Sequence, residues 1–215
     1  MSSSELFRLC GVAAILAGLL FVASDLLDLA VEPATDSAGF GADAFEQESP
    51  SALLVFQSGL TLLAGVLLLF GSIGLYAQRT EEVGLLGLFG FVFAFSGTVM
   101  AVGTFWSHTF IAPTLAALAR EPAGLLDAVP PRALAAGLGL SYGMVTVGWL
   151  LSGVAILRAR AYPRAGALTL TLGAMMTWLP FPLTGILFGV GVVWVGWYLY
   201  SAGTGEVRVS SQSPY

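Results

Sequence analysis

The stretch GTFWSHTFIAPTL, Gly103 to Leu115, carries His108, the single histidine of the chain, and Asp25 and Asp28 stand in an otherwise apolar run near its start. An imidazole paired with a carboxylate can take up a proton or hold a polar ligand. Gln57 and Ser58, Trp106 and Ser107, Ser141 and Tyr142, and Trp178 carry the other polar groups expected at the same depth. Together they outline a candidate polar cluster led by Asp25, Asp28, Gln57, His108 and Tyr142. Each also has a plainer role. His108 can cap the end of its helix, Asp25 can make a structural polar contact, Asp28 can be solvated, and the aromatic residues can form an interfacial belt.

Other chemistry is short of equipment. The chain has no lysine, which removes Schiff-base catalysis. Cys10 is the only cysteine, so neither an intramolecular disulfide nor a thiolate cluster can form. One histidine cannot supply the three or four ligands of a tetrahedral metal site. Haem ligation by His108, alone or shared across a dimer, has no supporting motif, and no cofactor is expected. Neither a phosphate-binding glycine loop nor a nucleophile motif with a histidine partner is present. Eight basic residues against thirteen acidic ones leave no basic face for nucleic acid.

The elements that must position these residues can be read from composition. The chain is 57% hydrophobic and 10% charged, with a mean hydropathy of +0.87. A soluble domain carries about 25% charged residues, so an integral membrane protein is indicated. The first apolar run exceeds a signal-peptide core and comes after a single arginine, so it is expected to be a retained span. A membrane helix needs about 20 apolar residues. Six segments qualify, near 9–31, 51–77, 83–112, 133–157, 165–179 and 183–201, the fifth short and the third long. The expected fold is an all-α bundle of six transmembrane helices over residues 1–203, with a polar cytoplasmic tail at 204–215.

Arginine placement orients it. Arg8, Arg79, Arg158, Arg160, Arg164 and Arg208 fall on one side of a six-span chain, and only Arg120 and Arg132 on the other. The positive-inside rule puts both termini in the cytoplasm of a cell-membrane protein. The external loop EPATDSAGFGADAFEQESP, with five acids and no base, agrees. TLAALA in the next external segment is expected to be a helix end or a short interfacial helix. A gapless echo between LFGSIGLYAQRTEEVGLLG and LSGVAILRARAYPRAGALT is parallel, which lends no support to an inverted-repeat transporter.

Small residues mark faces where membrane helices meet. In the third span Gly87, Gly90, Ala94, Gly97, Ala101 and Thr104 recur at spacings of three and four, and a further four reaches His108. In the first span Gly11, Ala14, Gly18 and Phe21 form a similar stripe that runs on to Asp25 and Asp28. Meeting of the two stripes would bring the acids to the histidine. Gly185 and Gly189 in GILFG form a small-xxx-small pair suited to packing within the bundle or between protomers. Along both stripes the inner halves offer only glycine, alanine and bulky apolar residues, so no polar path to the cytoplasm is expected.

The runs GWLLSGVAILRARAYPRAGALTLTLGA, RTEEVGLLGLFGFVFAFSGTVM, TFIAPTLA, GLLDAVPP and LFRLCGVAAILAGLLFVASDLLDL resemble a group of six-span bacterial, often actinobacterial, membrane proteins with a domain of unknown function. The resemblance implies a six-helix bundle and no activity. Two functions fit: a non-enzymatic structural or accessory subunit, or a small proton-coupled transporter or sensor using Asp25 and His108. The expected partners are the lipid bilayer and either further copies of the chain or a larger membrane complex.

Overall fold

The computed structural model describes residues 3–31, 52–78, 80–111, 113–114, 131–159, 163–176 and 184–204. They form six helices: α1 (Ser3–Val31), α2 (Ala52–Gln78), α3 (Thr80–Trp106), α4 (Pro131–Ala159), α5 (Arg164–Met176) and α6 (Thr184–Thr204). A π-helical turn, Ser107–Ile111, extends α3 directly. Five of them, α1, α2, α3 with its π turn, α4 and α6, are long and apolar enough to cross a membrane. The 13 residues of α5 reach only about 20 Å at 1.5 Å per residue, short of a hydrocarbon core of about 30 Å. The first external loop, the TLAALA segment, the PFP turn with Trp178, and the C-terminal tail lie outside the described residues.

Each helix packs against its neighbours in sequence, and α6 closes the ring on α1, the most extensive contact of all. The order is therefore a circle, α1–α2–α3–α4–α5–α6, with consecutive helices antiparallel. At one end Gly203 of α6 lies against Ser4 and Arg8 of α1, so the described ends of the chain are side by side. Arg8 also sits over the Tyr200 ring, 5.7 Å from its centroid.

The distribution of side chains is the inverse of a water-soluble domain. Ala17, Ala64 and Ala167 are fully buried, whereas Leu85 is 74% exposed and Trp197 62% exposed. Lipid is as apolar as leucine, so large side chains gain little by turning inward, and helices associate where small ones permit close packing. The larger core residues, Leu68, Trp149, Ile156, Leu170, Phe188 and Val192, gather at the axis of the ring. Trp149 meets Phe188 edge to face at 5.6 Å, and Phe21 meets Phe188 at 5.9 Å.

The glycine seams run as backbone-to-backbone contacts. The α3 stripe is buried along Gly87, Gly90, Ala94, Gly97 and Ala101, and it lies on α4. A methyl built on Gly90 would stand 2.6 Å from Ser152 N, and one on Gly97 would strike Val145 N. From the other side, Gly148 of α4 meets the backbone of Ala94. Gly84 has another task. Its φ of 56° and ψ of −154° break the helical geometry inside α3, in a region that glycine alone enters readily.

Gly148→Ala and Gly103→Ala form a matched pair, since nothing lies within 4 Å of a methyl on Gly103. Overpacking at Gly148 is expected to cost about 1–3 kcal/mol or more. Gly103→Ala should be neutral or stabilising by up to about 1 kcal/mol through helix propensity. Thermal unfolding of the two variants in detergent checks this.

Candidate functional site

Ser24, Gln57 and Thr61 meet at α2, at the end of the bundle away from the chain termini. Ser24 of α1 is buried, and its hydroxyl is 2.7 Å from Thr61 Oγ1 of α2. Thr61 gives its single proton to Gln57 O at 3.1 Å. When it does, Ser24 is the donor across the pair, and either hydroxyl can donate there. One turn of α2 thus ties its own backbone to α1.

Asp25 lies on the other flank of the same α1 turn, and its carboxylate rests on the first turn of α6. A methyl at Gly185 would overlap both carboxylate oxygens, with Oδ1 2.5 Å away. Gly185 is glycine because this acid occupies the space a side chain would take. The first turn of a helix presents unsatisfied N–H groups and the positive end of its dipole, a favourable neighbour for a carboxylate. Further along, Gly189 meets Gly18 backbone to backbone, a methyl on Gly189 standing 2.7 Å from Gly18 O. The GILFG pair therefore packs within the bundle, against α1.

His108 is half-buried on the π turn. That turn packs on α2 as well as on α3 itself, and Thr109 is its residue nearest Gly59 of α2. Ser107 and Thr109 return their hydroxyls to Gly103 O at 3.0 Å and Phe105 O at 2.8 Å. The α1 and α3 stripes take different partners. The α1 stripe closes on α6 and α2, the α3 stripe closes on α4, and α1 and α3 are not among the extensively packed pairs. Counting four residues from Thr104 to His108 assumed an unbroken α-helix. The residues that follow the stripe, Ser107–Ile111, form a π turn that carries His108. What places Asp25 and His108 at one level is α2, which packs on both α1 and the π turn.

Asp25, Gln57, His108 and Tyr142 each have an interaction partner. The Asp28 side chain lies outside the described residues. Ser141 is buried in α4, and its hydroxyl has no hydrogen-bond partner among the described residues. Trp106 is 49% exposed and tilts against Phe110 at 5.7 Å, the placement of a belt residue.

Further polar side chains lie off the two stripes. Ser72, Thr98, Ser152 and Thr171 are buried along the bundle, on helix faces beside the two stripes. Three of them are satisfied within their own helices: Ser72 donates to Leu69 O at 2.8 Å, Thr98 to Ala94 O at 2.6 Å and Thr171 to Ala167 O at 2.7 Å. Hydroxyls bonded back to their own helix do not make a relay between helices. Ser24 and Thr61 are the interhelical pair that sequence reasoning missed. Serine next to Asp25 and threonine one turn from Gln57 were the available signals.

No family model, curated protein or solved structure matches the chain. Its function therefore rests on its own geometry. Among the described residues no group of three or more His, Cys, Asp and Glu could hold a metal ion.

Two sets of variants test this geometry. Gly185→Ala should destabilise the wild-type protein by about 1–3 kcal/mol and much less in an Asp25→Ala background, since the clash needs the carboxylate. A double-mutant cycle of Ser24→Ala and Thr61→Val should give a coupling of about 0.6 kcal/mol, the usual size for a membrane interhelical hydrogen bond. Chemical unfolding in mixed micelles reads both.

Proposed function

We propose that this chain is a six-span protein of the cell membrane, with both termini in the cytoplasm, that acts as a non-enzymatic structural or accessory subunit of a membrane assembly. The observation that carries the proposal is the use to which the polar side chains are put. Ser24 and Thr61 bond α1 to α2, and Asp25 sits on the first turn of α6. In this reading they join helices and leave little to act on a substrate. The bundle axis is filled, with a void of only about 10 Å³ beside Trp149. The arginine asymmetry supports the orientation, and the short α5 is taken as the sixth span. The outward face, rich in exposed residues such as Phe56, Phe70, Phe89 and Trp197, suits contact with lipid and with other membrane helices. The likeness to six-span bacterial membrane proteins of unknown function is in keeping with this role.

Gentle solubilisation from the native membrane, then native electrophoresis and mass spectrometry, is expected to give a particle larger than the lone chain with a constant subunit composition. A monodisperse single chain would refute the accessory role.

A proton-coupled transporter or sensor is the second reading, favoured by the π turn that carries His108, since such turns recur at functional sites. It predicts that Asp25→Asn and His108→Ala lower pH-driven flux in liposomes. Equal flux in wild type and both variants would remove it.

A further inference from the structure

Trp149 is a large polar side chain at the centre of the ring, 2% exposed, and its indole N–H has no hydrogen-bond partner among the described residues. Roughly nine in ten or more of the buried polar groups in proteins are paired, and leaving a donor orphaned is costly. Trp149 stands between two cavities. One is the void of about 10 Å³ at the axis, lined otherwise by aliphatic and glycine residues such as Ala14, Leu68, Leu170 and Val195. The other, about 30 Å³, lies between α2, α3 and α4 near the α2–α3 connection, and Ser72 and Ser152 are in its wall with Trp149.

The two cavities differ in what they can hold. A water needs a space of on the order of 10–15 Å³ and two to four polar partners. The axial void is at the limit of size and has no hydroxyl in its lining. The second cavity has the room and four polar side chains, Ser72, Tyr76, Trp149 and Ser152. Trp149 and Ser152 are three apart on α4 and so share a face, while Ser72 comes from α2. The Ser72 proton is committed to Leu69 O, which leaves its oxygen free to accept. The cavity exists because α2 and α4 are not among the extensively packed pairs. The α3 residues between them at this level, Gly87 and Ala94, are too small to fill the gap, and the Tyr76–Phe91 stack at 4.6 Å contributes to its wall.

We propose that this cavity is an internal hydration site, in which an ordered water accepts from Trp149 Nε1–H and hydrogen-bonds the Ser72 and Ser152 hydroxyls. The water bridges α2 to α4, two helices that the ring order keeps apart. It gives the half of the bundle near the chain termini a polar interhelical link, as Ser24 and Thr61 do at the other end.

The test is nuclear magnetic resonance of the full chain in deuterated micelles with ¹⁵N-labelled tryptophan indoles. The Trp149 signal among the five tryptophans is assigned by its loss in Trp149→Phe. If that variant does not fold, replacing the other four with phenylalanine leaves Trp149 as the single indole signal. The expected result is a cross-peak between Trp149 Nε1–H and water, weakened or lost in Ser72→Ala/Ser152→Ala. A Trp149 N–H with no water cross-peak in the folded wild type would overturn the proposal. So would a cross-peak to acyl-chain protons in a sample with protiated lipid, which would identify a hydrocarbon tail as the occupant.

Discussion

The structure depends on how closely helix backbones can approach one another. In lipid no hydrophobic force pushes one apolar helix onto the next, so cohesion comes from van der Waals contact over short distances and from a few polar links. Glycine and alanine make that approach available. The α3–α4 seam at Gly90, Ala94, Gly97 and Gly148 and the α1–α6 seam at Gly11, Gly18 and Gly189 are built on it. Large residues are displaced to two places: outward to lipid, as with Leu85 and Trp197, and inward to the axis, where Trp149, Phe188 and Leu170 fill the centre of the ring.

Polar groups in such a bundle must find partners locally, because there is no water in the hydrocarbon to supply them. The chain solves this mostly within single helices. Thr98 and Thr171 return their protons to carbonyls of their own helix, so they cost little and connect nothing. The exceptions join elements. Ser24 links α1 to α2, and the Asp25 carboxylate at the end of α1 rests on the first turn of α6.

The helices were legible because their signals are local. Runs of about 20 apolar residues and stripes at spacings of three and four survive any arrangement of the bundle, and the α3 stripe is buried as its spacing indicates. The short length of the fifth segment was also visible, and α5 is the short helix. The candidate site was legible in part. Depth along each helix placed Asp25, Gln57 and His108 at a common level, but depth carries no information about which helix stands beside which. The π turn at Ser107–Ile111, which carries His108, has no evident composition signal.

The sequence alone determined the solvent of this protein, the extent of its apolar helices, and the faces on which they would pack. These are properties of each segment and of the helical period of about 3.6 residues. Only the tertiary structure decided that α1 closes on α6, that α2 separates α1 from the π turn, and that Trp149 and Ser152 face Ser72 across a cavity. Small-residue stripes are nearly interchangeable as surfaces, so the choice among partners is made by the whole ring. Contact between helices distant in sequence is settled only when every seam is filled at once.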